Sequence, residues 1–122
     1  MGLRFSDVCI DAGDIHALAS WWSEVLGWPA EPTDDGDMVL RAPEGAGPDW
    51  LFLAVPEGKV VKNRIHFDLT PDDQDAEVAR VIALGARHVD IGQGDESWVV
   101  LADPEGNEFC VLRSESDRAA MN

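Results

Sequence analysis

The feature that most restricts what this chain can fold into is an internal repeat. Leu26-Gly27 returns 58 positions later as Leu84-Gly85, and Asp14 precedes Asp73 by 59 positions, as Asp7 precedes His66. Around these landmarks both halves read in one order: a strand, a helix closing on Leu-Gly, then three short strands. A repeat of this length marks a duplicated structural unit. One helix covers only one face of its sheet, so the other face must be covered by the second half, a second subunit or a ligand. The expectation is an α+β fold of two βαβββ modules in tandem, forming a cup-like, partly closed mixed sheet with eight main strands and two helices. All 122 residues then make a single domain, with module one over about 3–57, module two over about 62–113 and a polar, fraying tail at 114–122.

Residue patterns supply the elements. Positions 4–11 alternate as a strand, with Val8 and Ile10 on one face and Asp7, Cys9 and Asp11 on the other. Asp14 is a helix N-cap, Ile15, Leu18, Trp22, Val25 and Leu26 recur at helical spacing, and Gly27 ends the helix. Short strands follow around 38–41 and 50–55. In the second half a strand over 62–70 places Ile65, Phe67 and Leu69 on one face and Arg64, His66 and Asp68 on the other. A helix over 74–84, apolar at Ala76, Val78, Val81, Ile82 and Leu84, is capped by Gly85. Strands at 86–90, 97–102 and 108–113 complete the repeat, the last two joined by the Asp103-Pro104-Glu105-Gly106-Asn107 turn.

Composition narrows the partners. Hydrophobic residues make up 45% and charged residues 27%, an ordinary globular balance, and the net charge is −15. Such an acidic surface repels phosphate backbones, which argues against nucleic acid, and it attracts a cationic ligand. The plainer reading of the charge is solubility. No apolar run approaches the length of a membrane span, and the start MGLRFSDVCID lacks a signal-peptide pattern, so a cytoplasmic location is expected. Cys9 and Cys110 lie far apart with no CxxC and are expected to be unpaired. There is no Gly-rich phosphate loop in strand-to-helix context.

Asp103-Pro104-Glu105-Gly106-Asn107-Glu108-Phe109 resembles the closing hairpin of the vicinal-oxygen-chelate superfamily. That superfamily holds glyoxalases, bleomycin-resistance proteins and extradiol dioxygenases. The helix around Leu18 to Trp28 and the strand Arg64-Ile65-His66-Phe67-Asp68-Leu69 resemble its first helix and the opening strand of its second module. The resemblance implies four points at which metal-using members place a ligand, on the first and last strands of each module. Here those points fall on Asp7, on Phe52 or Leu53, on His66 and on Cys110. Only His66 keeps the family's residue type, so no cofactor is expected. A divalent metal is the alternative, with Asp7, His66 and Cys110 as ligands.

The candidate site follows from alternation and resemblance together. His66, with Asp68 two residues on to orient it, forms the candidate acid–base pair. Asp7, Arg64, His66, Asp68, Trp98 and Cys110 are the candidate ligand-binding residues. Structural readings stand beside these: His66 paired with Asp68 or Asp7, Cys110 as a small apolar filler, Arg64 on a rim, and the five tryptophans as core or interface packing. The expected function is small-molecule binding of glyoxalase-like type without the usual metal site. The alternatives are a metal-dependent lyase, isomerase or dioxygenase of that superfamily, and an antibiotic-sequestering protein. Relatives usually cover their sheet edges with a second subunit, and exposed edges are costly, so a homodimer is expected.

Overall fold

The computed structural model describes residues 2–90 and 97–120. Positions 91–96, within the span expected for module two, and 121–122, within the expected tail, lie outside the described residues. The chain divides into two compact units, Met1–Gly58 and Lys59–Asn122.

The first unit runs β1 (Asp7–Ala12), α1 (Ile15–Leu26), β2 (Ala30–Pro32), β3 (Met38–Leu40) and β4 (Asp49–Ala54). Its four-stranded sheet has the order β1-β4-β3-β2. The β1–β4 pair is parallel and the other two pairs are antiparallel. Helix α1 forms where the pattern places it. Asp14 Oδ1 accepts from the Ala17 amide at 3.0 Å. Gly27, at φ 72°, takes the left-handed turn that ends the helix, its N–H bonded to the Ser23 carbonyl. The helix packs against all of the strands in its sheet and buries Ile15, Leu18, Ala19, Trp21, Trp22 and Val25.

Two sequence expectations change in this unit. The first strand starts at Asp7 rather than at position 4, because its parallel partner β4 starts at Asp49, after Pro48, which has no N–H to offer a ladder. Ahead of the strand, Leu3 and Phe5 stand exposed. The strand left unplaced by the sequence is β2. Pro29 and Pro32 hid it, yet proline is tolerated on an edge strand, which is where β2 lies. The turn into β3 is closed by Thr33, whose Oγ1 accepts from the Asp37 amide at 3.1 Å.

The second unit runs β5 (Phe67–Leu69), α2 (Gln74–Ala83), β6 (Arg87–His88), β7 (Val99–Ala102), β8 (Glu108–Val111) and α3 (Glu115–Ala120). The order β5-β8-β7-β6 repeats that of the first sheet, again with the first and last strands parallel. The duplicated βαβββ unit is therefore realised twice, as two four-stranded mixed sheets. Asp73 caps α2 through the Ala76 amide at 3.1 Å. The C-cap falls on Leu84, one position before the expected Gly85, which follows at φ 119°.

Of the apolar positions of α2, only Val81 is fully buried. Two further expectations change in this unit. The strand expected over 62–70 shrinks to β5, because Asn63 is bonded to Glu108 through both its amide and its side chain and the chain bends at Arg64 and Ile65 instead of pairing. The tail expected to fray forms α3 from Glu115, with the buried Ser114 accepting the Asp117 amide through Oγ at 3.1 Å. Among the described residues no helix is long and apolar enough to cross a membrane.

Candidate ligand-binding site

Strand register sorts the side chains of each sheet into two faces. In the first unit Trp50 meets Trp22 of α1 at 5.1 Å between ring centroids, so Trp50 marks the helix side. Val8, Ile10, Phe52, Met38 and Leu40 share that side by register. Asp7, Cys9 and Asp11 lie on the other face with Asp49, Leu51 and Leu53. The aromatic cluster stays on the helix side, where Trp21 packs on Trp22 and Trp28 on Trp50. Trp50 is therefore core. In the second unit Phe67, Leu69, Leu101, Phe109 and Val111 share an apolar face, and Asp68, Val100 and Cys110 share the opposite one.

The candidate residues differ in how the fold holds them. Asp68 lies in the middle of β5, exposed, directly opposite buried Cys110 of β8. Half-buried His66 immediately precedes β5, its Nε2 at 3.0 Å from the Asn63 carbonyl oxygen. This is a different partner from the Asp68 or Asp7 of the structural alternative. Arg64 is exposed in the bend. Trp98 is half-buried in a bend just before β7 rather than in the strand itself. The residue before it is tied down by Gln74, whose Nε2 donates to the Ser97 carbonyl at 2.8 Å and to the Val111 carbonyl at 3.2 Å. Asp7, in the first unit, is exposed and accepts from the Ser6 hydroxyl at 3.1 Å.

Both cysteines are free, Cys9 exposed and Cys110 buried. Burial above all, then the charge and hydrogen bonding of the Asp68 carboxylate, pushes the Cys110 thiol up to about 11. At neutral pH only about one such thiol in ten thousand is ionised, so Cys110 is protonated and slow to react. A neutral alkylating agent should modify Cys9 at least about tenfold faster than Cys110 at neutral pH. The Cys110 rate should climb until the pH reaches about 11. Equal rates in the folded protein, followed by peptide mass mapping, would contradict this picture.

Sequence reasoning missed Glu108. It opens β8 with a side chain only 6% exposed, and its Oε2 lies 2.8 Å from Lys59 Nζ. Its Oε1 accepts from the Asn63 amide at 3.1 Å. Burial works to raise its pKa, but the Lys59 ammonium and the Asn63 amide outweigh burial and hold the carboxyl below its ordinary value. The signal available was spacing: Glu108 lies two residues before Cys110 on one strand, hence on the same face.

A sequence profile described as the glyoxalase-like domain matches residues 7–112. The chain belongs to that family. Several solved structures share the fold of this glyoxalase-like domain. One is a glyoxalase/bleomycin resistance protein/dioxygenase family enzyme from Burkholderia phytofirmans PsJN, 22% identical at a TM-score of 0.66, covering 87% of this chain and 94% of that one. Another is TnmS3, an antibiotic binding protein from Streptomyces sp. CB03234, 19% identical at 0.66, covering 94% and 99%. A third is the bleomycin resistance determinant of transposon Tn5, 18% identical at 0.58, covering 93% and 99%. No curated protein matches the chain in sequence.

One of the four ligand points implied by the resemblance falls on Phe52 or Leu53. Register puts Leu53, not Phe52, on the face of Asp7, and neither side chain has a lone pair to give, so at that point the chain offers a divalent metal no donor.

Proposed function

We propose that this glyoxalase-like domain binds a small, polar or cationic molecule without a resident metal ion, using Arg64, His66, Asp68, Trp98 and Cys110 of its second unit. The observation that carries the reading is Leu53, which register puts on the face of Asp7 at one of the superfamily's ligand points and which has no lone pair to give. Further support comes from the net charge of −15, which draws cations toward the surface. Asp68 beside His66 offers a carboxylate to a positive group, and Trp98 an aromatic face. The likeness in fold to TnmS3 and to the Tn5 determinant agrees with sequestration of an antibiotic. The alternative is a metal-dependent lyase, isomerase or dioxygenase.

The test is a thermal-shift and calorimetric panel of cationic and anionic small molecules led by bleomycin, run beside elemental analysis of the gently purified protein. Cationic members should bind and anionic ones should not. His66→Ala and Asp68→Asn should each weaken binding by about tenfold, the effect of one lost polar contact. Near one equivalent of zinc, iron, nickel or manganese, or binding that survives both substitutions, would overturn the reading. The same proposal includes a homodimer, supported by the exposed Leu3, Phe5, Val60, Val61 and Ile65. Sedimentation at micromolar concentration showing only a 13.3 kDa species would remove that part.

A further inference from the structure

His66 sits at the end of a chain of contacts that begins at a buried carboxylate. Glu108 Oε2 pairs with Lys59 Nζ at 2.8 Å. Its Oε1 accepts from the Asn63 amide at 3.1 Å, and Asn63 Nδ2 donates to the Glu108 carbonyl at 3.2 Å. Asn63 is thus held to β8 by two bonds, one from its backbone and one from its side chain, and its peptide carbonyl is left pointing elsewhere. That carbonyl oxygen lies 3.0 Å from His66 Nε2. A carbonyl only accepts, so the neutral imidazole must carry its proton on Nε2, which leaves Nδ1 with a free lone pair.

We propose that Glu108 is a positioning residue: through Asn63 it fixes His66 as the Nε2–H tautomer and turns Nδ1 into a hydrogen-bond acceptor. The proposal deepens the function proposed above and rests on it for the ligand. Nδ1 and, two residues on, the Asp68 carboxylate are both acceptors. The molecule they recognise therefore carries N–H, O–H or ammonium donors. A ligand that meets this part of the domain only with acceptors, such as a carboxylate or phosphate ester, finds no partner in either group.

The experiment is long-range nitrogen–proton correlation spectroscopy of the labelled, ligand-free protein at a pH above the ordinary imidazole range. The wild type should show His66 as a single Nε2–H species. In Glu108→Gln the pattern should move toward a mixture of tautomers, and in Glu108→Ala further still, while Lys59→Arg, which keeps the ion pair, should retain the wild-type signature. Slow alkylation of Cys110 serves as the check that β8 is intact in each variant. An Nδ1–H pattern in the wild type overturns the proposal whether or not the variants fold. So does an unmixed Nε2–H pattern that persists in folded Glu108→Ala. Because the tautomer is read without ligand, this outcome is independent of the bleomycin panel. An Nε2–H signature that responds to Glu108 upholds the positioning role even where every cationic molecule fails to bind.

Discussion

Trp22→Ala should cost about 3–5 kcal/mol of folding stability, the range for truncating a large aromatic in a packed interior. Trp22 is 1% exposed on the sheet side of α1. Its ring meets Trp21 edge-on at 5.0 Å and Trp50 at 5.1 Å between centroids. Through Trp50 it also reaches Trp28, at 5.9 Å from that ring. Alanine removes the side chain that joins the helix to β4, and the surrounding rings sit on separate elements and cannot all collapse into the gap. Domains of this size are typically stable by about 5–15 kcal/mol, so the variant would lose a large share. The melting temperature should fall by about 15 °C on the usual entropy per residue. Trp22→Phe keeps an aromatic partner for Trp50 and should cost about half as much. Urea unfolding and calorimetry read both values. A loss below about 1 kcal/mol for the alanine variant would mean that the cluster does not hold α1 to its sheet.

The second large effect is expected at the β7–β8 hairpin. Asp103 is fully buried. Its Oδ1 accepts from the Glu105 and Asn107 amides, both at 2.9 Å, and its Oδ2 from Asn107 Nδ2 at 3.0 Å. The backbone closes around it, with the Gly106 amide bonded to the Asp103 carbonyl and the Asp103 amide to the Asn107 carbonyl. Gly106, at φ 90°, supplies the left-handed turn that a side chain would strain. Asp103→Ala strands those donors at a buried turn, and each unmet bond to a charged acceptor is worth about 1.5–3 kcal/mol. Allowing for water reaching the opened turn, we expect a total of about 3 kcal/mol. Asp103→Asn keeps an acceptor for the two amides but faces the Asn107 side chain with a second donor, so about half the loss should remain. Equal stability of the aspartate and alanine forms, measured by denaturant unfolding, would show that the carboxylate does not organise the hairpin.

The two halves were legible to different depths. In the first, Asp14, the apolar positions of α1 and Gly27 specify a helix by local chemistry, and α1 forms over the expected residues. In the second, Asp73 starts α2 as expected, but the periodic apolar residues after it are mostly half-buried or exposed. Periodicity reports which side chains share a face and not how much of that face a neighbour covers. β2 escaped notice because its prolines argue against a strand in any sheet interior, and only the sheet order reveals that it is an edge.

Sequence by itself determined the duplicated βαβββ order, the family, the N-caps of α1 and α2 and the turn that closes the second unit, because each depends on residues close together in the chain or on a repeat visible along it. Alternation within a strand also placed Asp68 opposite the apolar face of β5, as the register has it. Where each strand begins was decided only by the tertiary structure, since a strand extends only as far as a partner with free N–H and C=O groups runs beside it. The surroundings of His66 were decided in the same way. Alternation over 62–70 put Arg64 and His66 in a strand, whereas Glu108, 45 positions from Asn63, captures that residue and bends the chain before β5. A carboxylate and the amide it binds across that distance leave no periodic trace in sequence, because their meeting depends on the parallel pairing of β5 with β8.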